Sequence, residues 1–134
     1  MKLSDRAEFY YTDKKNNCAV SILLASSDKY SLGLSEEDAR LVVGFGGGMG
    51  CGKVCGALSG SIAVLGKLFY GRADFRSICS EFVKKFKEAY GCDSIDCAVL
   101  TAKFKNRDRR CVDVVIIAAD MLEEYVEEIK HKEA

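Results

Sequence analysis

The fold of this chain depends on one stretch, Gly44 to Gly66, with the sequence GFGGGMGCGKVCGALSGSIAVLG. Six glycines lie between Gly44 and Gly52, and a glycine in a helix interior costs about 1 kcal/mol relative to alanine. The first half of the stretch therefore predicts a tight junction between two helices, with positive φ angles at some glycines. From Cys51 onward, apolar residues recur every three or four positions, which predicts a helix that ends near Gly71.

Two stripes of small residues follow this predicted helix. Gly52, Gly56 and Gly60 are spaced by four residues, so they line one face and allow another backbone to approach closely. Cys51 and Cys55 would point the same way from the neighbouring face. Because Cys51 would lie in the first helical turn, the free backbone N–H groups there would favour its thiolate. The pattern indicates a thiol site, and the alternative is that these cysteines are small buried core residues.

The same stretch nearly matches a phosphate-binding P-loop, because Gly47 and Gly52-Lys53 have the required spacing. That loop needs Ser or Thr after the lysine to hold Mg²⁺, and this chain has Val54 there. The sequence also lacks the alternation of strands and helices around which such a loop is built. Nucleotide binding is therefore not expected.

Length and composition restrict the class of protein. With 134 residues, the chain is expected to form a single domain over residues 1–134. Its 20 basic and 20 acidic residues cancel, so we expect no nucleic-acid partner. No apolar stretch reaches the length of a membrane span and no signal pattern begins the chain. We therefore expect a cytoplasmic protein without a membrane partner.

Seven cysteines and a single histidine decide which chemistry is available. An odd number of cysteines in a cytoplasmic chain argues against a full set of structural disulfides. Reduced cysteines in such number indicate metal binding, redox exchange or burial. Because His131 lies in the charged C-terminal tail, Cys–His pairs and His-rich zinc sites are not expected. A bound metal would need mainly sulfur ligands.

Helical periodicity and capping residues predict an all-α compact bundle of about six helices, in which the glycine-rich stretch is a helix-to-helix junction. Asn17 is expected to cap a helix that begins at Cys18, and residues 35–38 form a capping box that opens another. Asp74 is expected to cap the clearest helix, which Gly91 ends. Further helices are predicted over 5–11, 97–104 and 108–130.

Four cysteines stand in or next to the first turn of a predicted helix: Cys18, Cys51, Cys97 and Cys111. Cys55 lies one turn further along the helix of Cys51. If these helix starts converge, their backbone N–H groups would lower the thiol pKa values together. The thiolates could then bind a soft metal, hold an iron–sulfur cluster or exchange disulfides. Cys79 lies within an apolar stripe and is expected in the core.

The chain resembles a family that is named after its cysteine pattern, C-GCAxxG-C-C, and described as redox-active. The resemblance covers most of the length and rests on spaced motifs in the same order: Asn17-Cys18-Ala19, Phe45-Gly46-Gly47-Gly48-Met49, Cys55-Gly56-Ala57-Leu58-Ser59-Gly60, Gly91 to Cys97, and Cys111. One departure is that the named string has Gly before Cys, whereas Cys55 precedes Gly56 here. The resemblance implies an all-helical protein with a redox or cluster-binding role. The residues it implies as catalytic or metal-ligating are Cys18, Cys55, Cys97 and Cys111.

Three functions remain open at this point. The first is a thiol-based redox or metal-binding protein with a redox partner protein, in which Cys51 joins the site through its spacing from Cys55. Its cofactor would be an iron–sulfur cluster or another thiolate-bound metal. The second is a helical interaction or oligomerisation module, such as a homodimer, in which the glycine stripe is a packing seam. The third is a small-molecule or anion pocket, in which the backbone N–H groups of Gly46 to Gly52 bind an anion at the helix start with the help of Lys53. The cofactor-binding residues are then Gly46, Gly47, Gly48 and Lys53.

Overall fold

A computed structural model of the chain describes residues 1–105 and 110–133. Within these ranges the chain forms seven α-helices and no strand longer than a single β-bridge, which confirms the prediction of an all-α fold. The predicted start of the last helix at Asp108 lies outside the described residues. The helices are α1 (Leu3–Glu8), α2 (Cys18–Tyr30), α3 (Glu36–Ala39), α4 (Gly56–Phe69), α5 (Phe75–Tyr90), α6 (Cys97–Phe104) and α7 (Val112–Glu133).

Two short helical segments continue the regular helices. The chain passes from α1 into a π-helical turn, Phe9–Asp13, and from α3 into a 3₁₀-helix, Arg40–Phe45. The predicted cap of α2 is confirmed, because the Asn17 side chain accepts a bond from the Val20 N–H at 2.9 Å. The predicted capping box at 35–38 is also confirmed, with both of its reciprocal bonds present.

The helix α5 begins without the predicted cap. Asp74 occupies the N-cap position, but its side chain accepts no bond from the helix. Its carboxylate instead pairs with Arg72, at 2.9 Å from the guanidinium. The prediction was wrong because the Asp74 backbone (φ −92°, ψ 15°) lacks the extended conformation that turns an N-cap side chain towards the helix. At the other end Gly91, with φ +60°, ends α5 as predicted.

The glycine-rich junction extends further than the sequence predicts. Five residues between 47 and 52 have positive φ angles of 62° to 75°, and α4 begins only at Gly56. A right-handed helix cannot propagate through left-handed torsions, so no helix starts near Gly50. Cys51 consequently lies in the junction and is exposed. The prediction that Cys51 and Cys55 share a helix face was therefore wrong.

Two glycines of α4 allow α2 to pack against it at backbone distance. A Cβ atom at Gly60 would lie 2.9 Å from both the Cα and the carbonyl oxygen of Ala19. A Cβ atom at Gly56 would lie 2.5 Å from the sulfur of Cys18. The predicted glycine seam therefore exists at these two positions and is covered by α2 of the same chain. Gly52, the third member of the predicted stripe, lies in the junction instead.

The core is built around α7, which contacts α1, α2, α4, α5 and α6. Phe82 and Phe86 of α5 and Leu122 and Val126 of α7 are fully buried. Burial of a side chain of this size contributes roughly 1.5–3 kcal/mol, so the contact between these helices is a major source of stability. None of the helices in the described ranges is long and apolar enough to cross a bilayer.

Candidate functional site

A short antiparallel β-bridge positions two of the cysteines. The Cys55 N–H donates to the carbonyl of Ile95 at 2.8 Å, and the Cys97 N–H donates to the carbonyl of Lys53. Each side of the bridge turns at once into a helix, because Cys55 is the N-cap of α4 and Cys97 is the first residue of α6. The bridge therefore places two helix starts, each with a cysteine, side by side.

The other two cysteines reach the same region from α2 and α7. Cys18 is the first residue of α2, and its sulfur lies against Gly56, the residue after Cys55. Cys111 immediately precedes α7, and its N–H donates to the hydroxyl oxygen of Tyr11 at 3.1 Å. Four helix starts, distant in sequence, thus carry their cysteines to one place.

The four cysteines line one cavity of about 280 Å³. Thr101 links two of them, since its hydroxyl oxygen lies 3.5 Å from the Cys97 sulfur and 3.7 Å from the Cys111 sulfur. The rest of the wall is contributed by Tyr11, Asn17, Gly47, Leu100, Lys105, Arg110 and Val114. The cavity therefore brings together the cysteine set that the family resemblance implied.

Three cysteines lie outside this cavity. Cys51 is exposed, and its thiol donates to the Gly48 carbonyl at 3.5 Å within the junction. Cys79 is half-buried on α5, so its predicted place in the core is wrong. Cys92 follows α5 and is half-buried as well. None of the seven cysteines is in a disulfide.

Of the four predicted cofactor-binding residues, the structure places one in the wall of the cavity. Gly47 lines the cavity, whereas Gly46 and Gly48 support its walls. A Cβ at Gly46 would lie 2.5 Å from the Asn17 amide nitrogen, and one at Gly48 would lie 2.7 Å from the Cβ of Cys97. These two glycines let the junction press against two residues of the cavity wall.

Lys53 is exposed and does not line the cavity. The cationic residues that do are Lys105 and Arg110, which the sequence interpretation missed. The polar segment at 106–110 predicts only a charged loop. The one available signal was that Arg110 directly precedes a site cysteine, Cys111.

Desolvation dominates the electrostatics of the Cys18 and Cys55 thiols. It raises the pKa of Cys18 to about 12, with a smaller contribution from the neighbouring Cys55 and Cys97. It raises the pKa of Cys55 to about 11, against the opposing effect of the N–H groups of Ala57 and Leu58. The expectation that helix N-termini lower these pKa values is therefore wrong for this pair. Desolvation of the thiolate outweighs the few N–H donors that face it.

Arg110 is held at the wall of the cavity by Tyr11. Its Nη2 donates to the Tyr11 carbonyl at 2.6 Å, and the guanidinium carbon lies 4.1 Å from the centroid of the Tyr11 ring. Burial raises the pKa of the Tyr11 hydroxyl, so this hydroxyl stays protonated near neutral pH. The contacts fix Arg110 next to Cys111, because the same tyrosine accepts the Cys111 N–H.

Sulfur is the donor that zinc and iron–sulfur clusters prefer, so the chemistry of the four side chains suits such a group. Their arrangement does not suit a single metal ion. In residues 1–105 and 110–133, no three His, Cys, Asp or Glu side chains are placed so that they could hold one metal ion. The geometry thus fits reactions between pairs of thiols better than coordination of a single ion.

This chain is similar to a described family and to one uncharacterised protein. A family model described as "Putative redox-active protein (C_GCAxxG_C_C)" matches residues 16–125. An uncharacterised protein of Archaeoglobus fulgidus is 27% identical over 127 residues, a match that covers 81% of this chain and 83% of the relative. No solved structure matches the chain.

Proposed function

This chain belongs to the C_GCAxxG_C_C family, which is described as redox-active, and on that premise we propose that it is a thiol–disulfide redox protein. The observation that carries the proposal is the single cavity lined by Cys18, Cys55, Cys97 and Cys111. Core cysteines need no common cavity, whereas thiols that exchange electrons through disulfides must reach a shared reaction partner.

The reaction is the oxidation of two cavity thiols to one disulfide. Two S–H bonds break, one S–S bond forms, and two electrons and two protons pass to an acceptor disulfide, which becomes two thiols. Two pairs are supported by proximity. Cys18 lies against the residue that follows Cys55, and Cys97 shares the hydroxyl of Thr101 with Cys111.

The raised pKa values of Cys18 and Cys55 lower the fraction of reactive thiolate at these two residues. Near pH 7 both side chains are neutral thiols, and the thiolate is the form that attacks a disulfide. The reduced protein is therefore expected to react slowly with general oxidants. Oxidation is expected to be faster with a small disulfide that enters the cavity and is held beside the thiols.

A thiolate-bound metal or iron–sulfur cluster is the second candidate, favoured by the concentration of sulfur in one wall. The placement of the side chains does not fit a single ion in the described parts of the chain. For this reason no step of the proposed reaction passes through a metal.

The two candidates are separated by purifying the protein without oxygen. Metal content, acid-labile sulfide, the visible spectrum and the free-thiol count are measured on the same sample. We expect neither metal nor sulfide in proportion to protein, and seven free thiols. Iron with sulfide and a visible absorbance, or zinc at one per chain, would replace the dithiol proposal with the second candidate.

Oxidation of the same sample with a small excess of diamide, followed by peptide mass spectrometry, tests the thiol pairing. We expect disulfides within the set Cys18, Cys55, Cys97 and Cys111, reversed by dithiothreitol. The variant Cys55→Ser should lose one pair, whereas the control Cys79→Ser should keep both. The dithiol proposal fails if the four cavity thiols stay free while the other cysteines oxidise.

A further inference from the structure

Among the described residues, the charged side chains that line the cysteine cavity have one sign. Lys105 and Arg110 line it, and no carboxylate does in the described part of the chain. The chain as a whole has no net charge, so this local excess of positive charge is not a result of composition. A cleft with fixed charges of one sign concentrates ligands of the opposite sign and orients them.

Arg110 is oriented before any ligand arrives. One of its N–H groups is committed to the Tyr11 carbonyl, and its guanidinium stacks on the Tyr11 ring. A guanidinium carries five N–H donors in a planar fork, which matches the two oxygens of a carboxylate. Because its position is already held, little conformational entropy is lost when it binds an anion.

The size and depth of the cavity favour a small molecule. Its volume of about 280 Å³ is at the lower end of the range for small-ligand pockets. Cys55 is only 3% exposed, so a cysteine on the surface of a folded partner would have to enter the cavity to reach it. Leu100 and Val114 provide apolar wall on which the methylene groups of a small ligand can pack.

From these observations we propose that the substrate is a low-molecular-weight disulfide that carries carboxylates, bound through Lys105 and Arg110 with its S–S bond facing the cavity cysteines. The proposal rests on the thiol–disulfide function and names the substrate class of that site. One cavity thiol gives up its proton and its sulfur attacks a substrate sulfur, so that a mixed disulfide forms and the substrate thiolate that leaves takes up the proton. A second cavity thiol displaces the other, so that one protein disulfide and two substrate thiols result.

The test compares three small disulfides that differ in charge: dithiodiglycolate (anionic), bis(2-hydroxyethyl) disulfide (neutral) and cystamine (cationic). The rate of cavity-thiol oxidation is measured for each at low salt with the full-length reduced protein. Each rate is divided by that of 2-mercaptoethanol with the same disulfide. We expect a preference of about tenfold or more for the anionic over the cationic disulfide, which falls as salt is added.

Charge variants link this preference to the two cations. Lys105→Gln and Arg110→Gln should each lower the anionic-to-cationic ratio several-fold. Arg110→Lys should lower it less than Arg110→Gln, because the charge remains while the oriented guanidinium fork is lost. Lys84→Gln is the matched control, since Lys84 is exposed on α5 and does not line the cavity. Circular dichroism of each variant confirms that it is folded.

The outcomes separate this inference from the function on which it rests. If all three disulfides oxidise the cavity thiols at equal normalised rates, or if the cation variants leave the ratio unchanged, the anionic substrate is wrong and the dithiol function stands. If none of them oxidises the cavity thiols, both are wrong.

Discussion

At the scale of single residues, Gly56 determines where the sulfur of Cys18 can lie. A Cβ at this position would be 2.5 Å from that sulfur and 2.9 Å from the carbonyl oxygen of Phe45. The backbone oxygen cannot move independently of its segment, so α2 and the 3₁₀-helix both pack closely against Gly56 at the start of α4. The absence of a side chain here is thus a requirement of the site as well as of the packing.

The first prediction concerns this glycine. Gly56→Ala should lower the free energy of unfolding by about 1–3 kcal/mol, because the extra methyl overpacks a buried contact. Gly44→Ala is the matched control, since a Cβ there would meet no atom within 4 Å. Urea denaturation of both variants measures the difference. Equal stability of the two would contradict the close contact between Gly56 and Cys18.

The second prediction concerns Thr101, whose hydroxyl lies between the sulfurs of Cys97 and Cys111. Thr101→Val removes the single O–H donor between these sulfurs, which can stabilise one thiolate at a time, so alkylation of at least one of the two cysteines at pH 7 should slow by about tenfold, the equivalent of ~1.4 kcal/mol. Thr101→Ser should restore most of the rate. Iodoacetamide kinetics with peptide mapping gives the result for each cysteine, and an equal loss in the Ser variant would exclude the hydroxyl as the cause.

At the scale of elements, the residues at four helix starts both begin a helix and line the cavity. α2, α4, α6 and α7 each begin at or next to a cysteine, so the residues that end the preceding loops also shape the cavity. Asn17 is an example. Its side-chain oxygen caps α2, while its amide nitrogen donates to the Val43 carbonyl at 2.8 Å and joins α2 to the 3₁₀-helix.

The third prediction compares the Asn17 cap of α2 with Asp74, whose side chain does not cap α5. Asn17→Ala should destabilise the protein by about 1–3 kcal/mol, because both the cap and the bond to Val43 are lost. Asn17→Ser keeps a capping oxygen and should lose less. Asp74→Ala should have the smallest effect of the three, since the Asp74 carboxylate only pairs with Arg72 at the surface. Thermal and urea unfolding rank the variants, and an Asp74 effect as large as that of Asn17 would contradict the observed caps.

At the scale of the whole molecule, burial of the thiols connects stability to pH. The native state holds Cys18 and Cys55 as thiols with pKa values of about 12 and about 11, against about 8.5 in an unfolded chain. Between the unfolded and the folded pKa, the native state binds more protons than the unfolded state. The stabilisation is therefore complete below pH ~8.5 and is lost as pH rises towards 11–12.

The fourth prediction follows from this linkage. The free energy of unfolding should fall by at least about 1 kcal/mol between pH 8 and pH 10.5, and the slope should be shallower in Cys18→Ala/Cys55→Ala. Tyr11 and Tyr90, whose pKa values are also raised by burial, add to the slope in both proteins. Cys51→Ala/Cys92→Ala removes two thiols outside the cavity and serves as the control. Identical slopes in all three proteins would show that the buried thiols do not contribute.

The packing of the glycine seam bears on the hypothesis that this stripe is the interface of an oligomerisation module. Gly56 and Gly60 are covered by α2, so this face is used within the chain. Self-association through a homodimer, a single domain over 1–134, a redox partner protein and a cytoplasmic location stay predictions of the sequence. Sedimentation of the reduced protein over a range of concentrations tests the first of them.

Helical periodicity and capping are local properties, so the helical segments and many of their first residues could be predicted from the sequence. The Asn17 cap, the capping box at 35–38 and Gly91 at the end of α5 each depend on residues within four positions of one another. The two predictions that failed, the Asp74 cap and the start of α4, also depend on local interactions. Asp74 had a charged competitor in Arg72, and the left-handed torsions at 47–52 moved the start of α4 beyond Cys51.

The meeting of the four cysteines depends on contacts between segments that are distant in the sequence. Long stretches of chain separate Cys18, Cys55, Cys97 and Cys111. Their convergence depends on the contact of α2 with α4 and on the β-bridge between Val54 and Asp96. The pKa of a thiol is also a tertiary property, because desolvation depends on everything packed around the sulfur. The pattern of helix starts therefore predicted that the thiols could meet, while the packing of distant segments set their burial, their neighbours and the two cations beside them.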